Sequence, residues 1–458
     1  MGSASGHVFS NPQLRSAMAG LYFIAISLVL TIHASSAAVI PDAASFVVWD
    51  VDNSTTLNTS QWPSLVRNSA YNVYGWAGNV PQVYNGVTIN GGIPQLGNLT
   101  FHLVKLARDL KSILPPNASG ACLLDYEQWR ADFNSTPFFY RNLSIAYAIA
   151  QNPSLNSSAA LALATAQFEA AARVFLEASL NLAKSLFPLC RWGLYAYPIN
   201  DWSFGGYTGP NAASLRARND ALAWLWQAST ALFPSVYLTS PKASKFDGQL
   251  TYSYVKSTVA EAVRLRLQAA ALVGGRGPAV FALSWYVYNP YPRPAAGTLW
   301  QTLTPADLGD VFAGAWSAGA DAVLVWGSVG DAPPTTTAQL SNYTKVVLGP
   351  AATNLLATIA SCSAAACTAG GQCRANNSLP CFCPPPSLDG TCPSRSATQS
   401  PSGSPSPSPA SASVGVLRDL VSVVGSLPFA VIAVVLCIAV GVGASHAMFG
   451  FGKGAVVP

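Results

Sequence analysis

The chain has 458 residues, 50% of them hydrophobic and only 9% charged, and its 24 Lys and Arg outnumber 19 Asp and Glu for a net charge of +5. That length holds one large domain with accessories. So small an excess of positive charge, with no run of Lys or Arg, excludes the basic footprint of a nucleic-acid-binding protein.

Arg15 is the only charged side chain before an apolar run at residues 21–30, and small residues follow at 34–38. This order predicts a secretory signal over 1–38, cut after Ala38. Asn-x-Ser/Thr acceptors begin at Asn53, Asn58, Asn98, Asn117, Asn134, Asn142, Asn156, Asn342 and Asn376, all between the two hydrophobic ends of the chain. Their confinement to one segment points to a glycosylated domain outside the cytoplasm.

From 39 to 357 short apolar runs alternate with helical patterns, and strands are predicted at 45–49, 121–124, 192–197, 235–238, 280–283 and 322–326. The clearest helix sets Phe168, Ala171, Phe175, Leu176, Ala183 and Leu186 near one face. Strands separated by helices form a parallel sheet, and roughly 300 residues of such alternation build an α/β barrel. Barrel chemistry gathers at the C-terminal ends of strands, where Asp125, Glu127, Tyr195, Tyr237 and Trp326 stand. Each aromatic taken singly reads as core packing; their shared position makes them candidates as a group.

The octapeptide Leu123-Leu124-Asp125-Tyr126-Glu127-Gln128-Trp129-Arg130 holds the chemistry. On a strand, residues i and i+2 face the same way, so Asp125 and Glu127 are expected on one side, with Leu124 and Tyr126 on the other. Adjacent carboxylates resist double ionisation, and one of them keeps a proton. A general acid that protonates a glycosidic oxygen needs such a proton.

Beyond the barrel, Cys362, Cys367, Cys373, Cys381, Cys383 and Cys392 cluster in a segment (358–393) too short to bury a core. An oxidising compartment and the lack of His in the segment disfavour zinc. The spacing resembles that of an epidermal-growth-factor-like module. Of 15 pairings, that resemblance implies Cys362–Cys373, Cys367–Cys381 and Cys383–Cys392. Residues 394–426 begin with a Ser/Pro-rich stalk, 427–444 form an uncharged run just long enough to span a bilayer, and 445–458 are a short tail. A type I membrane protein with its catalytic domain on the extracytoplasmic side, at the cell surface or in a secretory or lysosomal-type membrane, is expected. A glycolipid anchor attached near Ser411-Ala412-Ser413 is the alternative.

Several ordered blocks resemble the hyaluronidases of glycoside hydrolase family 56, the bee-venom and mammalian enzymes among them, over nearly all of 45–393. They are Asn90-Gly91-Gly92-Ile93-Pro94-Gln95, Asp125-Tyr126-Glu127-Gln128-Trp129-Arg130, Trp192-Gly193-Leu194-Tyr195-Ala196-Tyr197, Pro234-Ser235-Val236-Tyr237-Leu238 and Val325-Trp326-Gly327-Ser328. The resemblance implies a distorted (β/α) TIM-like barrel with fewer than eight strands, no metal and no cofactor. It also implies retaining endo-β-N-acetylhexosaminidase activity, in which the substrate's own acetamido oxygen is the nucleophile. Glu127 is then the general acid and base, and Asp125 orients the acetamido group. Tyr195, Tyr237 and Trp326 form the acetamido pocket, and Arg130 pairs with acidic groups beside the dyad. Tyr74 matches a groove tyrosine. A monomer acting on a glycosaminoglycan, hyaluronan or a chondroitin-like polymer, is expected.

The chain also departs from the family pattern. Residues 49–57 lack the family's cysteine, whereas Cys122 and Cys190 stand at the starts of two strands, to be bridged if those strands are neighbours or left as buried thiols if not. An Arg-x-Arg pair reads Lys256-Ser257-Thr258, leaving Lys256 as the groove cation expected there. A catalytically weak cell-surface glycan-binding protein is the alternative function. A family-18 chitinase would need Asp where Gly120 and Leu123 stand.

Overall fold

The computed structural model describes residues 47–52, 65–66, 70–200, 206–239, 248–273, 275, 277–289, 300–328, 336–366, 372–373 and 381–382. The signal at 1–38, the stalk, the 427–444 run and the tail lie outside the described residues, as do the acceptors Asn53, Asn58 and Asn376 and the cysteines Cys367, Cys383 and Cys392.

The strands in chain order are β1 (Val47–Asp52), β2 (Leu65–Val66), β3 (Ala70–Tyr74), the hairpin β4 (Gln82–Tyr84) and β5 (Val87–Ile89), then β6 (Gly120–Asp125), β7 (Cys190–Leu194), β8 (Ala231–Leu232), β9 (Ala279–Trp285) and β10 (Ala322–Ser328). Outside the hairpin every pairing among them is parallel, in the orders β2-β1-β10-β9-β8 and β3-β6-β7. A bridge from Tyr195 to Phe233 joins β7 to the segment after β8, and β1 stands beside β3, which brings the two sheets round into a ring.

Alternation along the strands fixes what faces inward. Ala121 and Leu123 of β6, Ala231 and Phe233, Phe281 and Leu283 of β9, and Ala322 and Leu324 of β10 form one buried cluster inside the ring. Their neighbours Cys122, Leu124, Val280, Ala282, Val323 and Val325 pack outward in the larger core, under the helices. Both faces of β6, β9 and β10 are therefore buried, which is why those runs read as continuously apolar.

The helices α1 (Leu99–Ile113), α2 (Phe138–Gln151) and α3 (Ser157–Leu186) cover one side of the ring, followed by α4 (Ala212–Ala221), α5 (Ala223–Ala228), α6 (Gly248–Val273) and α7 (Pro305–Ala318), then α8 (Thr337–Tyr343) and α9 (Gly349–Ala366). Four of them, α1, α3, α7 and α8, start on side-chain caps: Asn98 accepts from Phe101 N–H, Asn156 from Ala159 and Thr304 from Asp307, and Thr336 with Gln339 closes a capping box. On α3 the buried residues Ala164, Phe168, Ala172, Phe175, Ser179 and Ala183 recur every three to four positions, as an amphipathic helix requires. This helix is apolar and long enough to cross a membrane by composition, yet it packs on α1, α2 and β7.

Two local readings change. The stretch 235–238 is not a regular strand: Pro234 has no N–H to donate, and the segment is held to β9 by an isolated bridge from Ser235 to Leu283. Strand β3 was not foreseen, because Asn72 interrupts its apolar pattern. At the far end, α9 runs through Cys362, which is disulfide-bonded, to Ala366. Beyond it β11 (Gln372–Cys373) and β12 (Cys381–Phe382) form an antiparallel pair that sets Cys373 opposite Cys381.

The Trp-Gly motif of β7 has a packing cause. A Cβ on Gly193 would lie 2.1 Å from the carbonyl oxygen of Ala231 and 3.0 Å from the Phe233 ring. Only glycine lets β7 approach the segment that follows it in the ring. Cys122 and Cys190 clamp β6 to β7 at their other ends, with Cα atoms 5.7 Å apart and the strands in parallel register. Gly193→Ala is expected to destabilise the domain by about 2 kcal/mol or more, the cost of overpacking against backbone that has no rotamer to yield. Urea denaturation monitored by circular dichroism checks this; an unchanged midpoint would show that the ring tolerates the added methyl.

Candidate active site

The inward series 121, 123 continues to Asp125, the last residue of β6, so its carboxyl crowns the barrel's inner layer at the C-terminal mouth. By the same count Trp285 follows Phe281 and Leu283, Trp326 follows Ala322 and Leu324, and Asn72 of β3 follows Ala70. These residues close over Leu123 and Leu283. A narrow pocket of about 50 Å3 results, lined by Asn72, Leu123, Asp125, Glu127, Tyr195, Tyr237, Leu283 and Trp326. Glu127 lies two residues beyond the strand end. The loop, not strand alternation, brings it over Asp125, and it is exposed where Asp125 is buried.

The loop that carries Glu127 is pinned on both sides. Trp129 is buried edge-on to Phe168 and Phe175 of α3, and its indole N–H donates to Pro81 O at 2.8 Å. Arg130 donates to the Tyr195 carbonyl at 3.4 Å and lies over the Tyr197 ring, while Tyr197 Oη accepts from Ala131 N–H at 2.6 Å. Between Tyr195 and Tyr197, Ala196 adopts φ 55°, a conformation that costs a non-glycine residue energy and is retained where neighbours over-determine it.

The electrostatics centre on Asp125. Asn72 Nδ2 donates to its Oδ2 at 3.3 Å, while Oδ1 is buried with no donor among the described residues. Burial first, then the charge of Glu127, pushes its pKa up to about 7, against the pull of Asn72 and Arg130. A proton shared with Glu127 supplies the donor that Oδ1 lacks, so the two carboxyls act as a pair with one proton between them. The Tyr237 hydroxyl bonds to that of Tyr195, and burial raises the pKa of both phenols, which keeps them neutral. Trp326 stacks on Tyr237 at 6.3 Å and meets Trp285 edge-on at 4.8 Å, and Trp300 extends this wall.

A larger cleft of about 480 Å3 opens from Glu127 and is lined also by Arg130, Asn134, Asn200, Arg218, Ser235 and Asn289. The sequence-derived candidates Asp125, Glu127, Tyr195, Tyr237, Trp326 and Arg130 thus converge. Tyr74 ends β3 in register with Asp125. Lys256 does not join them: it is exposed on α6, over the Tyr252 ring, and lines neither cavity. The described acceptors Asn98, Asn117, Asn134, Asn142, Asn156 and Asn342 are all exposed, and a glycan on Asn134 would stand in the cleft. Sequence reasoning missed Asn72, Trp285 and Arg218. A polar residue inside an otherwise apolar strand was the one available signal, for Asn72.

The family model described as hyaluronidase, of glycoside hydrolase family 56, matches residues 76–381. Hyaluronidase PH-20 of Rattus norvegicus is 29% identical over 377 residues, covering 77% of this chain and 71% of its own length. Hyaluronidase-1 of Homo sapiens is 31% identical over 303 residues, covering 64% and 66%. Among solved structures, bee venom hyaluronidase in complex with a hyaluronic acid tetramer superposes with a TM-score of 0.57 at 26% identity, covering 67% of this chain and 97% of that one. The monoclinic crystal form of the bee enzyme gives 0.56.

The raised pKa of Asp125 has a consequence for stability. A carboxyl that binds its proton more tightly folded than unfolded, where its ordinary value is 3.8, favours the fold fully at low pH. That contribution is lost as pH rises through about 7. Asp125→Asn removes the buried charge and is expected to stabilise the domain by on the order of 2–4 kcal/mol at pH 8 and little at pH 4. Thermal melts at the two pH values measure the difference; equal shifts at both would mean that Asp125 titrates like an exposed carboxylate.

Proposed function

Because the chain belongs to the hyaluronidases of glycoside hydrolase family 56, we propose that it hydrolyses hyaluronan or a closely related glycosaminoglycan at the N-acetylhexosaminide bond, with retention of configuration. The observation behind this reading is the narrow pocket in which Asp125 and Glu127 meet Asn72, Tyr195, Tyr237 and Trp326. Such a pocket, with one protonated carboxyl pair, hydroxyl donors and an indole wall, suits an acetamido group.

Glu127, exposed to the cleft, protonates the glycosidic oxygen as the bond to the anomeric carbon breaks. The acetamido oxygen of the same sugar attacks that carbon from the opposite face and forms an oxazolinium. Asp125 accepts from the acetamido N–H and, with its proton moved to Glu127, supplies the negative charge that the developing cation needs. Asn72 holds that carboxylate in place. Tyr195 and Tyr237 donate to the acetamido oxygen's surroundings, and Trp326 packs on its methyl. Glu127, now anionic, takes a proton from water, which attacks the anomeric carbon as its bond to the acetamido oxygen breaks, so that the oxazolinium opens and the acetamido group is regenerated. Two inversions give net retention, and no enzyme carboxylate serves as nucleophile.

The acceptors and the hydrophobic runs at 21–30 and 427–444 support an anchored enzyme with its barrel outside the cytoplasm, and the cysteine spacing supports an epidermal-growth-factor-like module before the stalk. Glu127→Gln keeps the size of the side chain but cannot deliver a proton. It is expected to fold, bind polymer and lose about 10²- to 10⁴-fold in kcat. Sizing the products from hyaluronan, chondroitin and chitin oligomers tests substrate class and activity together. Near wild-type turnover by Glu127→Gln would remove the assignment.

A further inference from the structure

Glu127 lines both cavities, whereas Asp125 lines only the narrow one. If the acetamido sugar fills the narrow pocket, as proposed above, the bond protonated by Glu127 lies at the junction. Whatever occupies the larger cleft is then the leaving group. The cations lining that cleft are Arg130 and Arg218.

Arg218 comes from α4 and is fixed before any ligand arrives. Its Nη2 and Nε donate to Asp132 Oδ2 at 2.7 and 3.1 Å, and Nη2 also bonds Ser135 Oγ. Those bonds use one edge of the guanidinium. Among the described residues Nη1 has no partner, and the side chain keeps 29% of its surface open. Arg130 has no carboxylate within ion-pair distance among the described residues; its contacts are the Tyr195 carbonyl and the Tyr197 ring. Asp132 pairs with Arg218, whereas Arg130 has no ion-pair partner among the described residues, so the cleft presents cationic side chains beside Glu127. The amides of Asn134 and Asn200 line the same space.

We propose that Arg218, together with Arg130, forms a carboxylate-binding subsite for the uronate residue on the leaving-group side of Glu127. A guanidinium already oriented by Asp132 loses little freedom when its open edge meets a carboxylate, and a partly enclosed charge-assisted bond is strong. Substrates with an acid group on the departing sugar would be preferred over neutral ones for this reason. Lys256, remote on α6, would not contribute.

The test compares hyaluronan with hyaluronan whose carboxylates have been chemically reduced to alcohols, in the purified chain and in Arg218→Gln. Hydrogen bonds to a charged group typically contribute about 10- to 100-fold in binding. The wild type is expected to show a lower kcat/KM on the reduced polymer, and Arg218→Gln to shrink the ratio between the two substrates by about 10-fold or more, mainly through KM on hyaluronan. Arg218→Lys, which keeps the charge without the fork, should recover part of the ratio. Equal losses on both polymers would mean that Arg218 only braces Asp132 and Ser135, and would overturn the subsite. Should Arg218→Gln fail to fold, a wild-type enzyme indifferent to carboxyl reduction overturns it equally. A wild type that cleaves neither polymer would instead remove the function on which the subsite rests.

Discussion

Two carboxyls meet at the mouth of a barrel, one of them buried, and up to about pH 7 they hold a proton between them. That constraint organises the site. Asp125 lies at the top of the inward series of β6, above Leu123, where water is largely excluded, and Glu127 stands over it from the following loop. Burial and the neighbouring charge hold a proton on the pair into the neutral range. Everything that fixes the distance between the two carboxyls therefore fixes the chemistry. Trp129 anchors the loop to α3, Arg130 ties it to the end of β7, and the Cys122–Cys190 bond together with Gly193 sets how β6, β7 and the next segment lie against one another.

The rest of the pocket is the barrel's own layering carried one step further. Inside the ring, Ala121, Phe281 and Ala322 give way to Leu123, Leu283 and Leu324, with Asn72 level with Leu123, and then to Asp125, Trp285 and Trp326 at the rim. Gly327 belongs to the same arrangement, since a Cβ there would lie 2.0 Å from the Tyr286 ring beside the Trp326 wall. The aromatic rim walls the narrow pocket, while the polar cleft beyond Glu127 is left to Arg130, Arg218 and three asparagines. With an aromatic-walled pocket around the carboxyl pair and a cationic cleft beside it, the site suits the proposed substrate, an alternating polymer of N-acetylhexosamine and uronate.

Much of this could be read from the chain. The continuous apolar runs of β6, β9 and β10 announce strands buried on both faces, and the carboxyl pair, the Arg130 that follows it and the aromatics Tyr195, Tyr237 and Trp326 of the later blocks all reach one site. What escaped reading depends on register and distance. Asn72 meets Asp125 across 53 residues and Arg218 meets Asp132 across 86, separations that only the ring of strands and helices closes. Trp285 lies past the predicted strand at 280–283, and periodicity cannot tell the top of an inner layer from its middle. Pro234 broke a strand that its apolar neighbours suggested. Lys256 occupied the position of a groove cation in sequence and points elsewhere in space.

Among the residues lining the narrow pocket and the cleft, Asp125 and Glu127 are the carboxyls, and in the proposed mechanism both act from one side of the reacting sugar. An inverting enzyme needs a second, separated carboxylate to activate water on the opposite face; retention through the substrate's acetamido group does not. Proton NMR of the first product released from a short hyaluronan oligosaccharide, recorded before mutarotation, reads the difference directly. The β-anomer appearing first is the expected result. The α-anomer appearing first would mean direct attack by water and would contradict acetamido participation.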